Sequence, residues 1–346
     1  MIERAPIAYD LSGKRVLVTG GTGFIGRSLV RGLLARGARV RVLDNDSRGS
    51  RLSLGDLADR IELFAGDVRD RVAVDSAVEG MGMVCHLASI NGTEFFYSRP
   101  EIVLEVAAKG MINVLDGCIR HGVKQFALAS SSEVYQTPPV LPTPEEVPLV
   151  VPDVLNPRYS YGGGKIFSEL MAVNYGRKHF ERTLIFRPHN VYGPDMGWEH
   201  VIPQFVQRMR GLSGSAGPGI EPIEFPIQGS GEESRAFVFI EDFIEGLMLV
   251  LERGEPMGIY NIGTTESVTV RELAEAVGRF YGRRVRVVPG ALAPGSATRR
   301  CPDIGKVRGL GYAPRHGLEA GLAKTIPWYD AHPRARSGGA FPEEPS

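Results

Sequence analysis

A strand, a glycine turn and a helix follow one another without a break over 14–36, and this run constrains the fold more than any other feature of the chain. Arg15-Val16-Leu17-Val18-Thr19 is short, apolar and rich in β-branched residues, which predicts a buried strand over 14–19. Gly20-Gly21-Thr22-Gly23-Phe24-Ile25-Gly26 follows directly. Apolar residues then recur at helical spacing over 24–36, and Gly37 ends the run. Glycine lets a backbone turn sharply and approach a pyrophosphate, and the start of the helix offers it unpaired N–H groups. Asp44 lies 18 residues after Gly26, at the end of a second predicted strand over 39–43. A carboxylate there accepts hydrogen bonds from adenosine ribose hydroxyls and repels a 2′-phosphate. The combination predicts a dinucleotide pocket that takes NAD rather than NADP, with Arg48 and Arg51 nearby as the residues that keep NADP open. Asp67, in Ala65-Gly66-Asp67-Val68, is placed to reach the adenine edge; the alternative is an exposed loop acid.

Further short strands are predicted at 61–64, 83–87, 125–129 and 183–187, with helices between them, notably 102–121 and 158–178. Such alternation predicts an α/β fold, a Rossmann-type doubly wound parallel sheet with helices on both faces. After 188 the pattern loosens into short elements, with helices predicted at 241–253 and 270–281. The Pro-rich stretch 137–157 reads as a surface loop, and the Gly, Ser and Pro of 211–222 as a flexible loop or insertion. The expected layout is a dinucleotide-binding domain over 13–188, rejoined by a segment near 236–255. A smaller, mainly substrate-binding C-terminal domain covers 189–330, and a disordered tail 331–346.

Composition narrows the partners. Lys+Arg and Asp+Glu number 40 each, so there is no basic field for nucleic acid. No apolar stretch reaches the ~20 residues that span a bilayer, and the first residues lack the apolar core of a signal peptide. Cys85, Cys118 and Cys301 are scattered, with neither metal spacing nor a disulfide framework. A cytoplasmic protein without a metal, a membrane or a nucleic-acid partner is expected.

A second set of residues carries chemistry. In Tyr161-Gly162-Gly163-Gly164-Lys165 the Tyr and Lys are four apart, so both side chains share one helix face. A nearby ammonium favours phenolate and is expected to lower the Tyr pKa from about 10, which suits proton exchange with an alcohol. Each glycine costs about 1 kcal/mol in a helix interior, so three in one turn imply that something packs on that backbone, as a nicotinamide or substrate would. Ser131 follows the predicted strand 125–129, at the end where open α/β sheets bind ligands, and can hold the reacting oxygen. Ser130 and Ser132 read as turn-capping neighbours. Glu133, two residues on, can take a proton next to a transient ketone; a loop acid or an ion pair is the alternative.

These residues together resemble the extended short-chain dehydrogenase/reductase superfamily, in its NAD-dependent nucleotide-sugar epimerase/dehydratase branch. The likeness covers roughly 13–325, through Leu43-Asp44-Asn45, Gly66-Asp67-Val68, His86-Leu87-Ala88, Arg187-Pro188-His189-Asn190, Arg235-Ala236-Phe237-Val238 and Arg300-Cys301-Pro302-Asp303. It implies tightly held NAD on Gly20, Gly23, Phe24, Ile25, Gly26, Asp44, Asn45, Asp67, Val68, Leu87 and Ala88. It also implies Tyr161 as base, Lys165 on the nicotinamide ribose, Ser131 as its hydroxyl partner, and commonly a homodimer. A nucleotide diphosphate sugar falls to Ser132, Asn190, Arg235 and Arg300; for either Arg alone the alternative is a surface ion pair. Three positions depart from the pattern. Gln136 stands where Gly is common, Ala107 where Asn is common, and His189 where an aromatic is common, with a hydrogen-bonded structural role as its alternative. Ser132-Glu133 also lacks the Asp that precedes this Glu in the dTDP-glucose dehydratases.

The leading expectation is an epimerase working through a transient keto-sugar. The alternative is a lyase, a 4,6-dehydratase or uronate decarboxylase, with Glu133 as extra acid/base. A non-catalytic NAD-binding regulator is the remote third, since fold does not fix function.

Overall fold

The computed structural model describes residues 8–215 and 222–332. Its first strands fall where apolar runs predict them: β1 Arg15–Thr19, β2 Arg39–Asp44, β3 Glu62–Ala65, β4 Met83–His86, β5 Gln125–Ala129 and β6 Arg182–Pro188. With Gly258–Ile262 they form one parallel sheet of seven strands, in the order Gly258–Ile262, β6, β5, β4, β1, β2, β3. Alternate residues face opposite sides, so both faces of the central strands are apolar. Val16, Val18, Val40, Val42, Met83 and Cys85 join one buried cluster with helix α1, Phe24–Ala35, and the helix Ile240–Arg253. Leu17, Leu43, Val84, Phe126 and Leu128 join the other, with the helices Arg71–Val78, Met111–Arg120 and Ser160–His179.

The long helix expected over 102–121 is Pro100–Glu105, a π-helical turn Val106–Gly110, and Met111–Arg120. Beyond β6 the strands are short. Arg299–Arg300 pairs with Ser234–Ala236, which pairs in turn with Ser267–Thr269; Val238–Phe239 pairs with Val191–Tyr192. The loop expected to begin at 211 is corrected in part: the helix Val201–Ser215 takes up its first five residues, carried by Ile202, Phe205, Val206 and Met209, all buried. Residues 216–221 lie outside the described part. So does most of the expected tail, 333–346; Ala331 itself closes the helix Leu318–Ala331. Among the described residues no helix is long and apolar enough to cross a membrane.

Candidate active site

β1 lies between β4 and β2, so the crevice where strand order reverses opens at its carboxyl end. The glycine turn sits there. Gly20 has φ +74°, and a Cβ on it would come 2.8 Å from the Ala88 amide nitrogen. A Cβ on Gly26 would come 2.0 Å from the Gly20 carbonyl oxygen. Gly23 is the N-cap of α1 and no side chain caps the helix, so its first amides stay available. The Thr22 hydroxyl is buried with no partner among the described residues. Phe24 and Ile25 begin α1 and pack on the core beneath. Bare backbone, an uncapped helix start and an orphaned hydroxyl together fit a pyrophosphate.

Asp44 first shapes this turn. Its two oxygens accept hydrogen bonds from the Thr22 and Asp46 amides, each at 2.9 Å. A carboxylate has about four acceptor positions, so it keeps capacity for a ribose. Asn45 donates to Asp67 at 2.8 Å, and Asp67 pairs with Arg69 at 3.0 Å. Burial raises the Asp67 carboxyl, but Arg69 overrides it and holds it below the usual range. Val68 is buried against Gly110 of the π-helical turn. The amides of Leu87 and Ala88 both donate to Thr19 Oγ1 at 3.2 Å, and that hydroxyl also bonds His86 Nδ1 at 2.8 Å. The two arginines that kept NADP open are engaged elsewhere. Arg48 lies over the Phe95 ring and pairs with Glu199 at 3.3 Å; Arg51 pairs with Asp46 at 2.7 Å.

Tyr161 and Lys165 lie one turn apart on Ser160–His179, as their spacing predicts. The Tyr161 ring stacks on Phe96 at 5.0 Å, and the hydroxyls of Ser131 and Ser89 reach its phenol. Lys165 Nζ stands 5.6 Å from the ring centre and donates to the Ala129 carbonyl at 2.8 Å. The expected lowering of the Tyr161 pKa is reversed. Burial pushes the phenol up to about 12, with the hydrogen bonds from Ser131 and Ser89 only partly opposing it. Lys165 is the group brought down: burial lowers it to about 8 against the pull of Glu169.

The three glycines between them also receive a different explanation. A Cβ on Gly162 would come 2.5 Å from Gln136 Nε2 and 3.0 Å from the Glu133 carbonyl, and one on Gly164 would come 2.8 Å from Ala107 Cβ. At Gly162 and Gly164 protein itself packs on this backbone, while Gly163 meets only the Val151 side chain at 3.4 Å. Gln136 has φ +50°, a conformation glycine adopts freely, and its side chain donates to the Glu133 carbonyl at 2.5 Å.

Ser131 caps the short turn Ser132–Tyr135 and accepts from the Glu133 amide at 3.1 Å. Ser130 bonds Glu169 instead, and Ser132 is buried. The Glu133 carboxylate is gripped by both terminal nitrogens of Arg300, one at 2.9 Å. Arg300 and Arg235 are register partners on adjacent strands. Arg235 donates to the Ala297 and Ser234 carbonyls at 2.5 and 2.8 Å, and Asn190 to the Ala236 carbonyl at 3.1 Å. Burial would raise the Glu133 carboxyl, but Arg300, with Arg158 and Arg235 behind it, pulls it down to about 2. Glu133 thus takes its ion-pair alternative, and its partner Arg300 is buried, so the pair is not the surface ion pair that was the alternative for the arginine.

Comparison with known proteins places this geometry. The model of the NAD dependent epimerase/dehydratase family matches residues 16–263. The chain belongs to that family. It is therefore an enzyme with NAD as its cofactor, and a non-catalytic regulator is set aside. UDP-glucuronic acid decarboxylase 6 of Arabidopsis thaliana is 32% identical over 318 residues, 90% of this chain and 87% of that protein. The dTDP-glucose 4,6-dehydratase of Streptomyces venezuelae, solved with NAD bound, is 30% identical with a TM-score of 0.80, covering 92% of this chain and 97% of that one. The UDP-glucose 4-epimerase of Thermus thermophilus, also solved with NAD, is 29% identical with a TM-score of 0.79, covering 92% and 99%. The family member described here is similar to proteins named for three different reactions.

Sequence reasoning missed the scaffold under the turn Ser132–Tyr135. Arg187 donates to both Glu169 oxygens at 2.8 and 2.6 Å and to the Tyr135 hydroxyl at 2.6 Å. Tyr135 and His189 meet on Asn261 Oδ1 at 2.8 and 3.0 Å, so His189 takes the hydrogen-bonded structural role that was its alternative. Glu169 had a signal, four residues past Lys165 on the same helix face. Arg187 opens one of the motifs that carry the resemblance, but neither it nor Arg158 had a signal for its partner, because the fold alone brings those partners to them. Ala107, the departure from Asn, is the methyl that Gly164 makes room for.

Proposed function

We propose that this enzyme epimerises a sugar carried on a nucleoside diphosphate, through a transient keto-sugar. The observation that carries the reading is the grouping of Ser131, Tyr161 and Lys165 beyond β5, the set that exchange of one hydride and one proton at a single hydroxyl needs. Epimerisation at C4 asks only that one hydroxyl be oxidised and the ketone reduced from its other face, with no second free base. Tyr161 exchanges the proton with the sugar oxygen, and Ser131 holds that oxygen by a hydrogen bond. Lys165, a turn away, is placed to hold the nicotinamide ribose, as the family resemblance implies. Gly20, Gly23, Gly26 and Asp44 cradle NAD, which when bound supplies the hydride acceptor and donor. Asn190, Arg235 and Arg300 bind the diphosphate, and guanidinium forks suit its oxygens.

A second reading, a lyase, is favoured by the position of Glu133, two residues from Ser131 on the same turn. A carboxylate there can take the C5 proton of a keto-sugar. Incubation with UDP-, dTDP-, GDP-, ADP- and CDP-sugars, followed by mass spectrometry and NMR of the products, tests both. Unchanged mass with one inverted centre supports the epimerase; loss of water or of carbon dioxide replaces it with the lyase. Turnover of none of them overturns both. In the epimerase, Glu133→Gln keeps turnover within several-fold; in the lyase it stops product and leaves NADH in the complex.

A further inference from the structure

We infer that the substrate's diphosphate displaces Glu133 from Arg300, so that this carboxylate is free to face the sugar only while the site is filled. The inference rests on the nucleotide-sugar reading above. It starts from charge. Three guanidiniums, those of Arg158, Arg235 and Arg300, act on the Glu133 carboxylate, and even with Glu233 also acting on Arg235 the cluster keeps a surplus of positive charge. A diphosphate bridge carries one negative charge on each of its two phosphoryl groups, and such a surplus attracts it.

Hydrogen bonding points the same way. Arg300 is 6% exposed, and its Nε is buried without a partner among the described residues. Two bonds to Glu133 therefore leave this guanidinium with N–H donors unused, Nε among them, and phosphoryl oxygens offer more acceptors than a carboxylate does. Arg235 donates to the Ser234, Thr298 and Ala297 backbone carbonyls, so neither strand partner has a full complement of anionic acceptors.

The geometry allows the exchange. The Glu133 side chain is 21% exposed and that of Arg300 6%, so the carboxylate is the partner on the open side. Its backbone is pinned at both ends, the amide by Ser131 Oγ at 3.1 Å and the carbonyl by Gln136 Nε2 at 2.5 Å. The swing needs only side-chain torsions, and the turn that carries Ser131 stays in place. While on Arg300 the carboxylate is a poor base; released beside a sugar, it becomes an acceptor for a hydroxyl or C–H proton. Binding of the right ligand thus arms the residue.

Titration of the NAD-loaded enzyme with UDP, dTDP, GDP, ADP and CDP, read by calorimetry, tests this. Glu133→Gln removes the competitor, so the accepted diphosphate binds at least about tenfold tighter. Glu233→Gln is the control: its carboxylate acts on Arg235 through space and does not bridge Arg300, so its effect stays within about threefold. A crystal structure of the wild-type complex, independent of how either variant folds, shows a phosphoryl oxygen on Arg300 and the Glu133 carboxylate parted from it. Equal tightening by both variants, unchanged or weaker binding by Glu133→Gln, or an intact Glu133–Arg300 bridge in the complex overturns the displacement alone. Binding of none of the five diphosphates overturns the nucleotide-sugar reading beneath it.

Discussion

The two ends of the site are built in opposite ways. The dinucleotide end is made of backbone within seven residues, where Gly20 and Gly26 leave no room for a Cβ. The proposed sugar end is made of charged side chains from distant stretches: Glu133 and Arg300 are 167 residues apart in the chain. The first fixes a shape, and any added atom collides with backbone that cannot yield. The second fixes a charge balance, and side-chain rotation can rearrange it without disturbing the fold. A lesion at the first end therefore removes the cofactor, while a lesion at the second changes what the bound sugar undergoes.

Gly26→Ala is the harshest way to challenge this contrast. Its methyl would stand 2.0 Å from the Gly20 carbonyl oxygen, a clash that backbone must move to relieve. The variant is expected to purify without NAD and to melt earlier than the parent, as absorbance of the released cofactor and thermal unfolding report. Retention of NAD by this variant would show that the cradle is softer than its contacts imply.

Tyr161→Phe probes the other end. It removes the proton-exchanging hydroxyl and keeps the stack on Phe96. Turnover falls by at least about 10², the low end for a positioned acid/base, while NAD content and sugar-nucleotide affinity stay near the parent values. Steady-state kinetics with calorimetry separate the two; a matching loss of affinity would mean that the ring chiefly shapes the pocket.

What the chain discloses in advance follows the same divide. The strand 125–129 coincides with β5, and β1 and β2 begin or end within a residue of expectation, because buried strands and glycine turns are local patterns. Tyr161 and Lys165 are legible for the same reason. The Arg187–Glu169 pair is not, since a strand and a helix meet there only after folding. Arg299–Arg300 is too short a strand to show any alternation, so its register with Arg235 is invisible in sequence. Spacing places an ammonium near the Tyr161 phenol but says nothing of burial, and burial sets the direction of its shift.

That burial gives a smaller, pH-dependent test. Lys165 is lowered to about 8, so its ammonium is present below that pH and lost above it. If the cation supports the phenolate, kcat declines above pH 8, approaching tenfold per unit, the limit for one ionisation. Lys165→Arg keeps its charge throughout, so its profile, at whatever lower rate, loses that limb. A wild-type profile flat to about pH 9.5 would separate Lys165 from the chemistry.

The mildest change returns to the cradle and asks whether Asp44 acts on the ligand or only on the turn. Both carboxylate oxygens already accept backbone amides, Thr22 and Asp46. Asp44→Asn keeps one acceptor and turns a donor toward the other amide, so the turn loosens slightly. It also removes the negative charge that repels a 2′-phosphate. NAD affinity is expected to fall by about threefold to tenfold, within about 1.4 kcal/mol, while NADP affinity holds or improves. Competition between the two cofactors for the stripped variant measures the ratio. A parallel fall for both would confine Asp44 to shaping the turn, and discrimination would then rest on the space left after Arg48 and Arg51 have taken their own partners, Glu199 and Asp46.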